Sequence, residues 1–403
     1  MKKRIFISIH YMEIGGAEIS LIGLLQALDY SKYEVDLFVY SHQGELMQFI
    51  PKEVNLLPEI PSYAYIERPM KEALMHGQWG VVAARLWAKR QFKKYLRRTG
   101  KTESAAIFQY VGNAVLKVLP SLYKYGQYDL AISFLTPHNI VLEKVKAKKK
   151  ACWIHTDYSN IDINAEQELP VWSGYDHIVS ISAEASKAFL KIFPSLKDKI
   201  VEMENILSVD FVRQRAILIP QEDIDKEMPK EEGVINLLSV GRFCEAKNYD
   251  NVPDICKRIL KKGFKIKWFL IGYGGDEDLI RQKIMETGVE EHVIILGKRS
   301  NPYPYIKACD IYVQPSRYEG KSVTVREAQM LCKPVVVTNY PTAASQVVDG
   351  KDGVIVPMDN QRCAEGIVNL INDKAKQRDM MEYLHAHDYG NEREVEKIDN
   401  LFA

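Results

Sequence analysis

The sequence predicts an α/β protein that contains two doubly wound, parallel-sheet domains. Short apolar runs rich in Val and Ile alternate with amphipathic or charged stretches, as in βα units whose sheets are covered on both faces. These runs form two series, one in each half of the chain. At 403 residues the chain is also too long for one ordinary domain.

The strands predicted in the first half are RIFISIHY, EVDLFVYS, YDLAISFL, KACWIHT, DHIVSIS and KIVEMENIL. Those predicted in the second half are VINLLSVGRF, IKWFLIGYG, HVIILGK, CDIYVQPS, KPVVVTNY and DGVIVPM. Between the two series, residues 208–233 are charged, contain two prolines and lack a clean strand. We therefore predict one domain over 1–210, a second over 211–385, and a terminal helix over 386–403.

The composition is that of an ordinary globular protein, with 46% apolar and 27% charged residues. No stretch approaches the roughly 18 apolar residues of a membrane-spanning helix, and MKKRIFISIHY fits a first strand better than a signal peptide. We therefore predict a cytoplasmic protein. The scattered cysteines have no metal-ligand spacing and predict buried thiols in a reducing compartment rather than disulfides or a metal site: Cys152, Cys244, Cys256, Cys309, Cys332 and Cys363.

The net charge of +1 conceals an asymmetry between the two halves. Residues 1–150 carry 22 Lys and Arg against 13 Asp and Glu, a net charge of +9, which leaves −8 for the remainder. The basic half predicts contact with something anionic, either nucleic acid or a membrane surface. Because no recognised reading motif accompanies the charge, nucleic-acid binding is the poorer explanation.

Residues 81–101 carry eight basic residues and no acidic one, interleaved with Trp87, Phe92 and Tyr95. Both a membrane-surface helix and a solvated helix fit this pattern. Arg85 and Lys89 fall inside the apolar arc that a helical wheel gives, so the segregation is imperfect. That arc consists of Val82, Leu86, Phe92 and Leu96.

Ligands of doubly wound sheets bind beyond the carboxyl ends of the strands, so the loops there should carry the chemistry. After the first strand, Gly15 and Gly16 lead into a helix and would let backbone N–H groups approach a phosphate or sugar. A tight strand-to-helix turn explains this pair equally well. His155 ends a later strand, where it could contact a substrate hydroxyl or carbonyl or serve as a structural histidine.

Two loops of the second half carry the stronger signals. In SVGRFCEAKNYD, Arg242 and Lys247 lie on one loop and could clamp a diphosphate, although charged loops are often merely solvated. In SRYEGKSVTVREAQ, Glu319 precedes a predicted helix and Glu327 lies within it. Glu327 could accept hydrogen bonds from vicinal hydroxyls and Glu319 from a transferred sugar. The alternative is that both glutamates face water.

The N-terminus of this predicted helix presents a row of backbone amides, and such a terminus favours an anion. The amides belong to Gly320, Lys321, Ser322 and Val323. Together with the two cations of the preceding loop, they would neutralise a diphosphate. The sequence therefore predicts a site for a phosphorylated ligand.

Taken in order, these motifs resemble the retaining glycosyltransferases of family 4. That family shares the GT-B fold, in which two facing Rossmann-like domains leave a cleft between them. The resemblance covers nearly the whole chain and rests on GGAE, WIHT, DHIVSISAEASKAF, MEN, SVGRFCEAKN, PSRYEGKSVTVREA and DGKDGVIVP. It implies a nucleotide-diphospho-sugar donor, most often a UDP- or GDP-sugar, bound mainly by the second domain. It implies no metal and no further cofactor.

The resemblance also implies roles for the site residues. Arg242 and Lys247 take the diphosphate, Glu327 takes the ribose, and Glu319 takes the sugar together with the amides of 320–323. From the first domain, Gly15 and Gly16 approach the phosphates and His155 contacts the sugar. The terminal helix packs back on the first domain. The acceptor is a saccharide or a polyprenyl-linked glycan of a bacterial cell-surface polysaccharide, reached through peripheral contact with the inner face of the cell membrane.

The chain departs from the family pattern at three places. Lys321-Ser322 stands where Phe-Gly is common, Asn205 is followed by Ile206 rather than glycine, and PTAASQ replaces a glycine-rich loop that ends in glutamate. These departures leave the sugar and the base open. Two other functions also remain open: a catalytically silent sugar-nucleotide-binding or scaffold protein, and a GT-B sugar-nucleotide epimerase.

Overall fold

The computed structural model describes residues 2–13, 15–156, 158, 161–319 and 322–403. The chain divides into two compact units. The N-terminal unit comprises Met1–Leu207 and Asn391–Ala403, and the C-terminal unit comprises Ser208–Gly390.

The N-terminal unit is built on a seven-stranded parallel sheet with the strand order β3-β2-β1-β4-β5-β6-β7. Its central strands are almost wholly buried, as expected where helices cover both faces of a parallel sheet. The strands are β1 Lys3–Ile9, β2 Tyr33–Val39, β3 Asn55–Leu56, β4 Gln127–Ser133, β5 Lys146–Ile154, β6 His177–Ser180 and β7 Ile200–Glu202. The strand order reverses between β1 and β4.

The helices of this unit are α1 Gly16–Ala27, α2 Pro61–Ala64, α3 Met70–Met75, α4 Trp79–Thr99, α5 Ala106–Val115, α6 Asn139–Lys144, α7 Ala165–Ser173 and α8 Ala183–Ile192. The C-terminal segment Glu392–Phe402 returns to the unit as a 3-10 helix, within the range 386–403 for which a terminal helix is predicted. Val395, Ile398 and Leu401 recur every third residue, so three residues per turn place them on one face.

The C-terminal unit has a six-stranded parallel sheet in the order β10-β9-β8-β11-β12-β13, which is the strand order of a dinucleotide-binding fold. The strands are β8 Ile235–Val240, β9 Ile266–Ile271, β10 Val293–Gly297, β11 Ile311–Gln314, β12 Val335–Thr338 and β13 Val354–Val356. The order reverses between β8 and β11, where Ile311 pairs with Leu237 and Tyr312 with Leu238.

The helices of the C-terminal unit are α9 Val209–Arg215, α10 Gln221–Glu227, α11 Val252–Lys261, α12 Glu277–Thr287, α13 Tyr303–Ala308, α14 Val323–Met330, α15 Asn360–Asn372 and α16 Lys374–Ala386. Short polar side chains cap the N-termini of several of these helices, because each accepts a hydrogen bond from an N–H of the first turn. Ser208 caps α9, Asp359 caps α15 and Asp373 caps α16 in this way.

Two glycines bring the β9 loop against the β8 loop. A Cβ on Gly272 would lie 1.8 Å from the Gly241 carbonyl oxygen, and one on Gly274 would lie 2.2 Å from the Phe243 carbonyl oxygen. Only glycine permits this approach. The GYGGDED stretch is therefore a close-packed turn, as the sequence predicts.

Helix α4 differs from the predicted amphipathic arc. Val82 is buried, but Leu86 is 54% exposed. Ala88 and Tyr95 pack instead against α5. Arg85 turns inward and donates hydrogen bonds to the carbonyl oxygens of Tyr65 and Arg68. These acceptors compensate for placing a charged side chain in the arc that the helical wheel shows as apolar. Among the described residues, none of the helices has the length and apolarity needed to cross a bilayer.

Candidate functional site

In the C-terminal unit, the loops after β8 and β11 are joined at the point where the strand order reverses. The Asn248 side chain donates a 2.8 Å hydrogen bond to the Pro315 carbonyl, and the Arg317 amide donates one of 2.8 Å to the Ala246 carbonyl. The Arg317 guanidinium also donates hydrogen bonds to both Asp250 carboxylate oxygens, at 2.9 and 2.7 Å. Ligand sites of doubly wound sheets lie at this crevice, and here hydrogen bonds and an ion pair join the two loops that form its rim.

An ion pair between Lys247 and Glu319 lies at the centre of this rim. Lys247 Nζ is 2.6 Å from Glu319 Oε1, and the two side chains are only 19% and 10% exposed. Ser316 Oγ and Gln314 Nε2 donate to the same oxygen at 2.6 and 3.2 Å. In the described part of the chain Oε2 accepts no hydrogen bond, so the oriented carboxylate keeps one oxygen for a ligand.

Gln314 is the support that sequence reasoning missed. It is fully buried at the end of β11, and its Oε1 accepts a 2.8 Å hydrogen bond from the Tyr312 hydroxyl. This bond fixes the amide with Nε2 towards Ser316 and Glu319. The signal available in the sequence was a glutamine that ends the otherwise apolar run CDIYVQPS. A buried amide with all its bonds made rigidifies its surroundings.

Arg242 lies on the same loop as Lys247 but in a different state. It is exposed, and it forms no ion pair or hydrogen bond with the residues that the structure describes. Further along the same sheet edge, Tyr273 follows β9 and is 58% exposed, and Lys298 Nζ, which follows β10, lies 5.1 Å from its ring centre. The carboxyl edge therefore presents the exposed Arg242 and, further along, a cation–π pair of Lys298 with the exposed Tyr273.

Glu327 points into the interior of the unit. It is 4% exposed, and the Tyr303 hydroxyl donates a 2.7 Å hydrogen bond to its Oε1. Burial raises the pKa of Glu327 to about 7, against the opposing effects of the Tyr303 bond and the charge of Arg215. Since Glu319 is also buried, neither glutamate faces water. Contact between Glu327 and a ribose stays a prediction.

The predicted row of amides is only partly open. The Ser322 N–H donates to Gln346 Oε1 at 3.0 Å, and Gln346 Nε2 donates back to the Ser322 carbonyl at 2.5 Å. Val323, the first residue of α14, is 43% exposed. Gly320 and Lys321 lie outside the described residues. Gln346, from the divergent PTAASQ stretch, thus occupies a backbone donor that the sequence assigns to a ligand.

The remaining predicted site residues belong to the N-terminal unit. Gly15 is the N-cap of α1, where a Cβ would lie 2.2 Å from Glu18 Oε2, whereas the space beside Gly16 is open. The His155 ring lies 4.7 Å from that of Phe134, and burial lowers its pKa to about 3, so it is neutral at pH 7. His155 Nε2 has no partner among the described residues.

Comparison with known families decides what the C-terminal sheet is. Residues 220–386 match the family model described as glycosyl transferases group 1. Most of the C-terminal unit thus matches the group 1 glycosyl transferase family. One relative is the Campylobacter jejuni N-acetylgalactosamine-N,N'-diacetylbacillosaminyl-diphospho-undecaprenol 4-alpha-N-acetylgalactosaminyltransferase, to which the chain is 30% identical over 139 residues. This alignment covers 34% of this chain and 37% of that protein. Alignments with the first three curated relatives span between 37% and 57% of their lengths.

Solved structures extend the likeness beyond the group 1 domain. Anabaena HepE in complex with UDP and glucose is similar over 99% of both chains, with 17% identity and a TM-score of 0.61. A point mutant of S. aureus TarM in complex with fondaparinux, alpha-GlcNAc-glycerol and UDP is similar over 99% of both chains, with 13% identity and a TM-score of 0.63. At this identity the likeness establishes the fold. The predicted GT-B fold with two Rossmann-like domains is confirmed.

Proposed function

We propose that the protein transfers a sugar from a nucleotide-diphospho-sugar, with retention of anomeric configuration, to a saccharide or lipid-linked saccharide acceptor. The observation that carries this proposal is the Lys247–Glu319 ion pair at the switch point of the group 1 domain, with Arg242 free beside it. A diphosphate needs cations, and the hydroxyls of a sugar need an oriented acceptor. The two loops supply both within one rim.

The two cations have different roles in this proposal. Arg242, exposed and unpaired within the described residues, captures the diphosphate from solvent. Lys247 pairs with Glu319 and orients its carboxyl group, so that Oε2 can accept a hydrogen bond from the donor sugar. These side chains balance the developing negative charge, and the proposed reaction therefore requires no divalent metal.

The chemical step breaks the bond from the anomeric carbon to the departing phosphate oxygen and forms a bond from that carbon to the acceptor oxygen. Both bonds lie on the same face of the sugar, so the configuration is retained. The acceptor hydroxyl gives its proton to the departing phosphate. The protein contributes positioning and electrostatic stabilisation of the phosphate.

The comparisons favour UDP as the nucleotide, because the HepE and TarM complexes both contain UDP. The Campylobacter relative is named for a diphospho-undecaprenol acceptor, which favours a lipid-linked glycan. Exposed Tyr273 supplies a flat face on which the base can stack, at the same sheet edge as Arg242. We therefore extend the proposal to a UDP-sugar and an acceptor carried on a polyprenyl lipid.

The test is release of nucleoside diphosphate from a panel of UDP-, GDP- and ADP-sugars, with and without a membrane extract as the acceptor source. Wild-type protein should release UDP, and EDTA should leave the rate unchanged. Glu319→Gln should lower the rate at least a hundredfold, in the range seen when one group that stabilises a transition state is removed. Glu290→Gln, a change in an exposed residue just before β10, serves as the matched control.

The panel also separates the other candidate functions. Binding without release under all conditions would identify a silent sugar-nucleotide-binding protein and overturn the proposal. Conversion of one intact nucleotide sugar into its epimer would identify an epimerase. A product of inverted configuration, read from the anomeric proton coupling by NMR, would refute retention.

We further propose that helix α4 holds the protein against an anionic membrane surface. The first half of the exposed face of α4 presents Trp79 and Trp87, 67% and 48% exposed. Its second half presents basic residues that form no ion pair in the described part of the chain: Arg90, Lys93, Lys94, Arg97 and Arg98. Aromatic rings favour the bilayer interface and basic side chains favour anionic headgroups, so one face provides both contacts.

The membrane proposal is tested by sedimentation with vesicles. Binding to vesicles with 30 mol % phosphatidylglycerol should exceed binding to pure phosphatidylcholine and should fall with salt. Lys93→Gln/Lys94→Gln should weaken binding roughly thirtyfold, at about 1 kcal/mol for each basic residue near the surface. Lys226→Gln/Lys283→Gln, which removes two lysines from the other unit, should not. Equal binding to both vesicle types would refute the proposal.

A further inference from the structure

Residues 342–346, which follow β12, contact the rim of the candidate site at two points. Thr342 Oγ1 donates a 2.9 Å hydrogen bond to the carbonyl oxygen of Glu319. Gln346 bonds the backbone of Ser322, the N-cap of α14. Glu319 and Ser322 are both buried, at 8% and 3% exposure. One short segment therefore holds the backbone of Glu319 and the start of α14 at the same time.

This segment is itself a firm support. It contains a 3-10 turn in which the Gln346 amide donates to the Ala343 carbonyl at 3.0 Å and the Val347 amide donates to the same carbonyl at 2.9 Å. Ala343 and Val347 are each 2% exposed and anchor the turn in the interior. Backbone groups that are bonded within a buried turn leave it little freedom. Thr342 and Gln346 are thus held at a fixed separation.

Gln346 pairs with Ser322 through both polar atoms of its amide. Oε1 accepts from the Ser322 N–H at 3.0 Å, and Nε2 donates to the Ser322 carbonyl oxygen at 2.5 Å. The pair needs one acceptor and one donor on the same side chain, and an ionised glutamate offers acceptors alone. A protonated glutamate has one of each. The contact therefore depends on the chemistry of the Gln346 side chain and not only on its size.

A chain of side-chain hydrogen bonds also joins Ser322 to the carboxyl group of Glu319. Ser322 Oγ lies 3.2 Å from Thr324 Oγ1, which donates to Gln314 Oε1 at 3.3 Å. Because the single hydroxyl proton of Thr324 is used in that bond, Ser322 donates to Thr324. Gln314 Nε2 then donates to Glu319 Oε1 at 3.2 Å. The start of α14 and the Glu319 side chain therefore belong to one network, and a shift of one disturbs the other.

This network connects the two groups between which the proposed reaction breaks a bond. The bond joins the sugar, which Glu319 contacts in the proposal, to the phosphate, which faces the N-terminus of α14. Both contacts are needed at their correct separation, because a misplacement of about 1 Å can lower the rate about a hundredfold. Arg242, which captures the diphosphate, lies on another loop and makes no bond to this network within the described residues. Loss of the network should therefore impair the chemical step more than donor capture.

We propose that Gln346 is a positioning residue of the donor site, which keeps the start of α14 in register with Glu319 by bonding Ser322 in both directions. In this role it acts through Ser322 rather than by contact with the donor. This inference rests on the proposed function, because it assigns a role in that reaction. It also gives a function to the divergent PTAASQ stretch, in which Gln346 is the last residue.

Steady-state nucleotide release by the wild type and by Gln346→Met, measured over a range of donor concentrations, separates capture from chemistry. Methionine fills a similar space and lacks both polar atoms of the amide. The substitution should lower kcat about tenfold or more and change the donor KM by less than about threefold. Calorimetric titration with UDP counts the binding-competent protein, so misfolded molecules do not enter kcat. Wild-type kinetics, or a raised KM with kcat unchanged, would overturn the inference.

Gln346→Glu gives a readout that structural damage would not imitate. When protonated, the introduced carboxyl group can make both bonds to Ser322, and when ionised it places negative charge against the Ser322 carbonyl oxygen. The rate of this variant relative to the wild type should fall about fivefold or more as the pH rises from 5.5 to 8, and it should recover on return to pH 5.5. A ratio that stays constant, or that rises with pH, contradicts the positioning role.

The charged and titratable groups around Gln346 set the midpoint of this change rather than its direction. Gln346 shares the wall of a cavity of about 180 Å³ with Arg326 of α14 and with Asp388 and Tyr389. The charge of Arg326 favours an ionised carboxyl group, and that of Asp388 favours a protonated one. The wild type contains the same groups, so the ratio of the two rates isolates the substitution. Gln214→Glu, the same change at an exposed position of α9, serves as the matched control.

Hydrogen exchange of the Ser322 amide, followed by NMR, tests the contact without any donor. This N–H is bonded to Gln346 in the wild type and should exchange about tenfold faster or more in Gln346→Met. Unchanged exchange would refute the contact on which the inference depends. The donor panel keeps the two proposals distinguishable: release by the wild type with unaltered kcat in both Gln346 variants refutes the positioning role alone, and absence of release by the wild type refutes the proposed function.

Discussion

Relative to the wild type, Glu327→Gln should stabilise the C-terminal unit more at neutral pH than at acidic pH. The wild-type carboxyl group is buried and accepts a hydrogen bond from the Tyr303 hydroxyl; its residue lies in α14. A glutamine has nearly the same shape, and its carbonyl oxygen can accept the same hydrogen bond. The substitution therefore removes the titration of this group and keeps its packing and its partner.

The magnitude follows from the pKa of Glu327, which burial raises from 4.5 to about 7. The folded protein therefore holds this proton more tightly than the unfolded chain does. The resulting stabilisation is complete below the unfolded pKa and is lost as pH rises towards the folded one. Over that interval of about 2.5 units the wild type should lose about 3 kcal/mol relative to Glu327→Gln, at 1.36 kcal/mol per unit.

Native-state hydrogen exchange of the β8 and β11 amides between pH 4.5 and 8 measures this difference. These two central strands belong to the C-terminal unit, and their exchange reports its opening free energy once intrinsic rates are corrected at each pH. Because both proteins share all other titrating groups, the difference between them isolates Glu327. Glu290→Gln, the same type of substitution at an exposed position of the same unit, serves as the matched control.

A difference between Glu327→Gln and wild type that stays constant across this pH range would refute the burial of an ionisable Glu327. A difference of the opposite sign would mean that the charge of Arg215 outweighs burial, and that the pKa lies below 4.5. The first result would also remove the reason to regard this glutamate as turned away from solvent.

Two further substitutions test the rim of the site. Lys247→Met leaves the buried Glu319 carboxylate without its cation and should destabilise the C-terminal unit by about 3 kcal/mol, measured by urea unfolding, whereas Lys247→Met/Glu319→Gln should recover most of this loss. Additive losses in that double variant would contradict the ion pair. Gly272→Ala should lower the melting temperature far more than Gly275→Ala, because its Cβ would lie 1.8 Å from a carbonyl oxygen while that of Gly275 meets nothing within 4 Å. Equal shifts would refute the close approach of the two loops.

The strands were predictable because burial on both faces of a parallel sheet leaves a continuous apolar run. Every predicted run overlaps a strand of the structure. Strand β3 was missed because it has only two residues, Asn55 and Leu56, both exposed, and pairs only along the edge of β2. An edge strand of that length has no apolar pattern to detect. The period-three spacing of the apolar residues in the C-terminal segment is visible in the sequence and is that of a 3-10 helix.

The loops of the site were predictable from their position after strands, and the pairing within them was not. Nothing local in SVGRFCEAKNYD indicates that Lys247 meets Glu319, because the two residues are 72 positions apart and only the strand order brings them together. Two further side chains turn inward because of partners in other elements. Glu327 accepts a hydrogen bond from Tyr303, and Arg85 donates to backbone carbonyls.

The difference between Arg242 and Lys247 explains why one loop carries two cations. A lysine left free in a half-buried rim would lose hydration without a partner, and a buried carboxylate alone would favour protonation. Their pairing gives each side chain a partner before any ligand arrives, and Ser316 fixes the direction of the carboxylate. Arg242, which needs no such partner because it stays in solvent, can then exchange water for a diphosphate without breaking an existing bond. In the proposed reaction, Lys247 therefore orients Glu319 for the sugar, while Arg242 on the same loop captures the phosphates.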